Sequence, residues 1–271
     1  MLTLPPLPSH IKPLPDADFD RLRRRHPDLW RDPYASCITC KGEKVFISPE
    51  GETECDCPSQ WLLYCHLRHC GVGLKYQRLT WQDVDSQVPK AVVNAIVEYG
   101  ENAKAYTSAG LGFILLGKQS GTGKTMLATL LLKSLIAFGH DGYFTQFNEM
   151  LDAYTAGWHS AEEREWFVRR VTNAGVLVVD DVGKEYKGKV ELAGSIFDTV
   201  IRSRVANSRP TIITTNYSMD EMNSGYGGAV MSLLAEACLD HEVTGESFRI
   251  RVRERAKSDA LNNISRPVAL G

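Results

Sequence analysis

The sequence predicts an α/β fold in which a parallel sheet is covered by helices on both faces, preceded by a small cysteine-rich module. Three observations carry this. Continuous apolar runs recur at Phe113-Ile114-Leu115-Leu116, at Val176-Leu177-Val178-Val179 and within Arg209–Asn216, as expected of strands buried on both faces. Amphipathic helical patterns separate them, the alternation that builds parallel sheets. Six of the seven cysteines lie between Cys37 and Cys70.

The elements follow in chain order. Residues 1–33 are proline-rich and then basic (Arg21, Arg23, Arg24, Arg25), an arm with one short helix. The prolines between Met1 and Pro15 break any signal-peptide pattern. Residues 34–73 form the cysteine-rich module, and 74–107 a connector plus a helix begun by Pro89, with Val92, Ala95, Ile96, Tyr99 and Ala103 on one face. The core spans 108–252, and 253–271 reads as a C-terminal tail. Within the core, Leu127, Leu130, Leu131, Leu135 and Phe138 share a helix face stopped by Gly139. Asp141-Gly142 turns into a strand over 143–147. Leu192, Ile196, Phe197, Val200 and Ile201 mark another packed helix.

Between the first strand and its helix lies Ser120-Gly121-Thr122-Gly123-Lys124-Thr125. Such a loop turns its backbone N–H groups toward phosphates. Its lysine reaches the β/γ-phosphates and its threonine hydroxyl ligates Mg²⁺. The following helix directs its positive dipole end at the same anion. The chain is therefore expected to bind ATP with Mg²⁺ through Ser120 to Thr125. One irregularity stands out: Lys118 holds the position of the usual first glycine and Gly117 precedes it, so the loop is one residue longer than usual.

The second apolar run ends in Asp180-Asp181. A carboxylate at such a strand end suits Mg²⁺, so Asp180 is the metal-side candidate beside Thr125. Asp181 would orient or deprotonate the attacking water. Asn216, at the exit of the third run, is placed to hydrogen-bond the γ-phosphate and that water.

Cys37-x2-Cys40, fourteen residues, then Cys55-x-Cys57 resembles a zinc ribbon or knuckle. Two short thiolate pairs supply four ligands to one tetrahedral Zn²⁺. Cys65, His66, His69 and Cys70 follow at helical spacing; they are helix residues, or one of them replaces Cys55 or Cys57 in the ligand set.

The succession GTGKT, LVVDDVGKE, RPTIITTN and TGESFR resembles the DnaC/DnaI helicase loaders and the related IstB transposition helpers, within the AAA+ ATPases. The resemblance covers roughly residues 99–252. It implies an ATP-hydrolysing domain with Asn216 as first sensor and Arg249 at the second-sensor position. A cysteine module ahead of such a domain also resembles loader-like proteins of phages and prophages. The implied partners are a replicative DnaB-type helicase and single-stranded DNA, with ATP-dependent assembly of several copies, alone or on the helicase. Loaders commonly carry an arginine finger shortly before the second-sensor segment, and here Leu233 stands at that position. The expected function is ATP-dependent loading of a replicative helicase onto DNA. The same chemistry serves an IstB-like transposition helper, and Leu233 keeps open an adaptor that binds ATP as a switch with little hydrolysis.

Composition narrows the setting. The 271 residues are 43% hydrophobic and 24% charged, with net charge −2, so a cytoplasmic protein without a global nucleic-acid footprint is expected. No apolar run approaches the ~20 residues that cross a bilayer, and no membrane partner is expected. Local basic groups are Arg202, Arg204 and Arg209, and Arg249, Arg251, Arg253 and Arg255. The latter alternate with Phe248, Ile250 and Val252, so a strand here would separate charge from apolar residues.

Overall fold

The computed structural model describes residues 14–30, 34, 37, 39–184, 190–264 and 266–270. The start of the expected arm, and residues 185–189 after the paired aspartates, lie outside them. Helix α1 (Asp16–Arg25) precedes the antiparallel hairpin of β1 (Val45–Ser48) and β2 (Gly51–Glu54). Helices α2 (Cys57–His69), α3 (Leu74–Gln77), α4 (Lys90–Glu101) and α5 (Ala103–Ser108) lead into the core. Strand β3 (Gly112–Leu116) feeds α6 (Lys124–Ala137), and β4 (Gly142–Gln146) feeds α7 (Phe147–Ala156) and α8 (Ala161–Phe167). Then come β5 (Val176–Val182), α9 (Val190–Ala206), β6 (Thr211–Thr215), α10 (Met219–Tyr226), α11 (Gly228–Ala237), β7 (Cys238–Glu242) and α12 (Arg249–Leu261).

The five core strands are all parallel, in the order β4-β5-β6-β3-β7. The placement of β6 between β3 and β5 matters for function, because three strand ends then converge. Successive residues of a strand face opposite sides. Phe113, Leu115, Val176, Val178 and Ile212 pack on one face with α4 and α6, and Ile114, Leu177, Val179 and Ile213 on the other with α7, α9, α10 and α11. Burial on both faces explains the uninterrupted apolar runs. Leu127, Leu131 and Leu135 of α6 are fully buried, each contributing about 1.5–3 kcal/mol.

The N-terminal region is fastened to the core. The Phe144 N–H donates to the Cys70 carbonyl at 2.8 Å, joining the end of α2 to the edge strand β4. Gly71 (φ +79°) makes this approach possible, since a Cβ there would lie 1.9 Å from the Phe144 oxygen. Leu63, Leu67 and Val72 join the core cluster. Arg169 binds Asp18 at 2.6 Å and Arg21 binds Glu163 at 2.8 Å, seating α1 beside α8.

Two expectations are corrected. Residues 249–255 form the start of α12, not a strand. A four-residue spacing also fits a helix face, and Arg251 and Arg255 bind Asp85 at 2.9 Å and Asp83 at 2.6 Å. Ile250 and Val252 stay exposed, so no apolar strand face exists to bury. The domain limit expected at Val252 falls inside this helix, and residues beyond it pack back: the Val268 and Ala269 N–H groups donate to Gln60 Oε1 at 2.9 Å and the Gln77 carbonyl at 3.0 Å. The second correction concerns Arg204, which is fully buried. It donates to the carbonyls of Val171, Ala174 and Pro210 and to Thr211 Oγ1 at 2.7–3.0 Å. It is a structural tie between α9 and the starts of β5 and β6, and it offers no charge to a nucleic acid at the surface.

Candidate functional site

The phosphate loop runs from the end of β3 to the first turn of α6. Gly123 occupies the N-cap of α6 in the left-handed region (φ +97°), which a glycine adopts without strain. Gly121 (φ +86°) lies so close to the segment after β7 that a Cβ would sit 2.3 Å from Ser247 Oγ. The Phe248 N–H donates to the Gly121 carbonyl at 2.9 Å, fixing that segment on the loop. The longer start of the loop is accommodated at Gly117 (φ +150°), and Lys118 points outward, 3.7 Å from Glu221.

Lys124 is buried, and its Nζ donates to the carbonyls of Gly117 at 2.7 Å and Gln119 at 2.9 Å. Burial pushes its pKa down to about 8; the charge of Lys184 acts the same way, while Asp181 and Asp180 oppose it. The ammonium is thus short of counter-charge, which an anionic ligand supplies.

Asp180 and Asp181 lie at a register shift in the pairing of β5 with β6, and such bulges re-aim side chains next to active sites. Asp181 takes φ +59°, a conformation tolerated by aspartate. The Thr214 hydroxyl donates to Asp180 Oδ1 at 2.6 Å and accepts the Asp181 N–H at 3.0 Å. Burial raises the Asp180 pKa, and the charge of Asp181 adds to this; Thr214 and Thr125 counter it as hydrogen-bond donors. Lys184 Nζ binds Asp181 at 2.7 Å near the surface. Asn216, just beyond β6, donates from Nδ2 to Ser120 Oγ at 3.5 Å, linking β6 to the phosphate loop.

Ser120, Gly121, Gly123, Lys124, Thr125, Asp180, Asp181, Asn216 and Arg249 line one cleft of about 1010 Å³. The sequence-predicted residues of the nucleotide site are therefore brought together; Thr122 is buried beneath the loop. Arg251, Arg253 and Arg255 line the same cleft, whereas the basic group of Arg202 and Arg209 lies elsewhere. Arg202 binds Asp198 at 2.7 Å, Arg209 donates to Asn173 Oδ1, and Leu233 packs against the core cluster around α9 and α11. Sequence reasoning missed Thr214, whose alternating position in a Thr-Thr pair gave no sign of its role.

A profile of the family described as IstB-like ATP binding protein matches residues 88–256. The chain belongs to that family. It is 26% identical over 140 residues to the replicative helicase loader DnaC of Escherichia coli K12, covering 51% of this chain and 56% of the relative. The DnaC of Shigella flexneri matches to the same extent. The chain thus spans about half the length of the curated relatives it matches. A crystal structure of the DnaC helicase loader superposes with a TM-score of 0.54 at 25% identity, covering 64% of this chain and 100% of that one. A DnaI structure gives 0.53 at 17% identity, over 65% and 93%. This IstB-like protein thus carries an ATP-binding domain of the IstB/DnaC type on an AAA+ fold.

The cysteine cluster lies outside the matched segment. The sulfurs of Cys37, Cys40, Cys55 and Cys57 all fall within 4.8 Å of one another, with Cys37–Cys55 and Cys40–Cys57 at 3.6 Å. Four sulfurs about 2.3 Å from a tetrahedral zinc stand about 3.8 Å apart, so the donor set fits. Cys40 suits this: burial raises its pKa, but the N–H groups of Gly42 and Lys44, together with the thiols of Cys37 and Cys57, bring it down to about 7. Burial and the neighbouring sulfurs raise Cys57 strongly, as expected of thiols that cannot all ionise without a shared cation. Among the described residues, none of Cys65, His66, His69 and Cys70 joins this cluster in place of Cys55 or Cys57. Cys65 and Cys70 are buried on and after α2, with burial pushing their thiols up to about 12 and 11, while His69 faces Asp18 at 3.8 Å.

Proposed function

We propose that this IstB-like protein is an ATP-hydrolysing loader that places a replicative DnaB-type helicase on DNA, acting in the cytoplasm. The observation that carries the reading is the convergence of Lys124, Thr125, Asp180, Asp181, Asn216 and Arg249 on one cleft, in a chain similar to DnaC along its core. Lys124 would neutralise the β/γ-phosphates. Thr125 and Asp180 would hold Mg²⁺, which when bound neutralises charge between those phosphates. Asp181 would accept the proton of the attacking water, and Asn216 would orient that water against the γ-phosphate. Arg249, at the start of α12, would report nucleotide to the helix that follows. Cys37, Cys40, Cys55 and Cys57 would hold one structural zinc, shaping a module that grips the helicase. Single-stranded DNA and further copies of the chain are its other proposed partners. No helix among the described residues is long and apolar enough to cross a membrane.

One observation favours a second reading, an ATP-dependent adaptor with little turnover. Leu233 has no donor for the γ-phosphate and is spent on packing. An arginine finger is worth roughly 10³–10⁵ in rate. Steady-state hydrolysis with single-stranded DNA and a DnaB-type helicase separates the two. The loader gives slow basal turnover that the ligands stimulate. The adaptor gives ATP-dependent helicase binding with no stimulation, and brisk turnover by the isolated monomer contradicts both.

A further inference from the structure

Beyond the matched family segment, residues 266–270 return to the N-terminal region of the chain. Arg266 binds Asp259 of α12 through two bonds of 2.8 and 3.2 Å and reaches Asp83 of the connector at 3.4 Å, while its carbonyl accepts from Arg78. The Val268 N–H then donates to Gln60 Oε1 at 2.9 Å, on the helix α2 that begins at Cys57, and the Ala269 N–H donates to the Gln77 carbonyl at 3.0 Å. Val268 is buried in the main core cluster. Five residues thus tie α12 to the connector and to the helix of the cysteine module.

The helix held by this strap is the least anchored of the core. No residue of α12 is buried. It is fastened by ion pairs: Arg251 to Asp85 at 2.9 Å, Arg255 to Asp83 at 2.6 Å, and Asp259 to Arg266 at 2.8 Å. Elements with so little buried apolar contact are the ones that open locally at low cost. Asp83 is the opposite case. Its side chain is 4% exposed and accepts from Arg255, Arg266 and the Thr80 N–H at 2.7 Å, and a buried carboxylate is costly to leave without its partners. Undocking α12 takes Arg255 from Asp83 and Asp259 from Arg266 together, so helix and strap hold each other in place.

The other end of α12 touches the phosphate loop. Phe248, its N-cap, donates to the Gly121 carbonyl at 2.9 Å, and Arg249 lines the cleft. Phosphate held by the loop and by Arg249 therefore favours the docked helix. We propose that residues 266–270 are a coupling strap: nucleotide docks α12, and docked α12, through Arg266, fastens the first half of α2 to the core. This rests on the Mg²⁺–ATP reading above. Linkage makes the coupling reciprocal, so a partner that draws the cysteine module off the core loosens the nucleotide by the same factor.

The test is hydrogen exchange of the full-length protein with and without a Mg²⁺-bound, non-hydrolysable ATP analogue, for wild type, Arg266→Ala and Gln60→Ala. Neither residue lines the cleft. In wild type the analogue is expected to slow exchange about fivefold or more at Val268 and Ala269 and across residues 57–63. Arg266→Ala should still bind the analogue, with affinity lowered by about that same factor, and show neither response. Gln60→Ala should keep the response at Ala269 and lose the one across 57–63. Wild type that binds the analogue without any change at these amides overturns the strap, as does Arg266→Ala responding like wild type. Should Arg266→Ala not fold, an undiminished response across 57–63 in Gln60→Ala overturns it. Wild type that binds no nucleotide overturns the Mg²⁺–ATP reading, and the strap with it.

Discussion

Thr214 donates its hydroxyl proton to Asp180 across 2.6 Å, from the strand beside the one that carries the carboxylate. Because the same oxygen accepts the Asp181 N–H at 3.0 Å, one side chain orders both acidic residues at the bulge. Thr214→Val keeps the shape and removes these bonds. It leaves Asp180 buried with one fewer donor, so the carboxylate ionises less readily. Mg²⁺-dependent turnover is expected to fall about 10–100-fold, with nucleotide affinity in EDTA unchanged, as read by parallel hydrolysis and binding assays.

Lys124 gives nucleotide binding a pH dependence of definite sign. Its pKa is about 8 in the free protein, and a bound polyphosphate raises it. Below that pH the lysine is protonated in both states and its contribution is flat. As pH rises above it, binding must take up a proton, and affinity falls by up to about tenfold per pH unit. Calorimetry above pH 8 in buffers of different ionisation enthalpy should register that uptake. Affinity that rises with pH in this range would contradict the assignment.

Metal analysis of the purified protein is expected to find about one Zn²⁺ per chain. Chelation should raise hydrogen exchange across β1 and β2 and at the start of α2, while the sheet remains protected. The far end of α2 should hold as well, because Leu63 and Leu67 are packed into the main core. Protein without zinc, its four thiols freely reactive, would contradict the site; zinc retained in a Cys55/Cys57 double mutant would move it to other ligands.

Arg249→Ala is expected to abolish the turnover stimulated by DNA or helicase and to leave the slow basal rate. Arg249 lines the cleft at the start of α12, next to the Phe248–Gly121 contact, together with Arg251, Arg253 and Arg255. A variant with full stimulated turnover would show that α12 does not report on nucleotide through this side chain.

The parts legible in the sequence were those with a strong local signal. Apolar runs such as Val176–Val179 announce strands buried on both faces, and Gly121 to Thr125 is recognisable because backbone, lysine and hydroxyl must lie adjacent. Cys37, Cys40, Cys55 and Cys57 were legible through spacing alone. What escaped depends on contacts between distant segments. Thr214 reads as one more β-branched strand residue until β6 is placed beside β5. The alternation of Arg249 to Arg255 suits a strand, but Arg251 and Arg255 are paired with Asp85 and Asp83 across the connector, and those contacts favour the helix. Arg204 looked like a surface charge because a buried cation satisfied by carbonyls leaves no mark in its own neighbourhood.

The central claim is that the loop at Lys124 binds Mg²⁺–ATP, and calorimetric titration of wild type and Lys124→Ala tests it most directly. Lys124 is the loop's one lysine aimed back across it, bound to the carbonyls of Gly117 and Gln119, and charge-assisted bonds to phosphate are the strong ones. The expected result is saturable binding of about one Mg²⁺–ATP per wild-type chain and no measurable binding by the folded variant. Equal affinity in the two proteins would contradict the assignment of the phosphate loop and everything built on it.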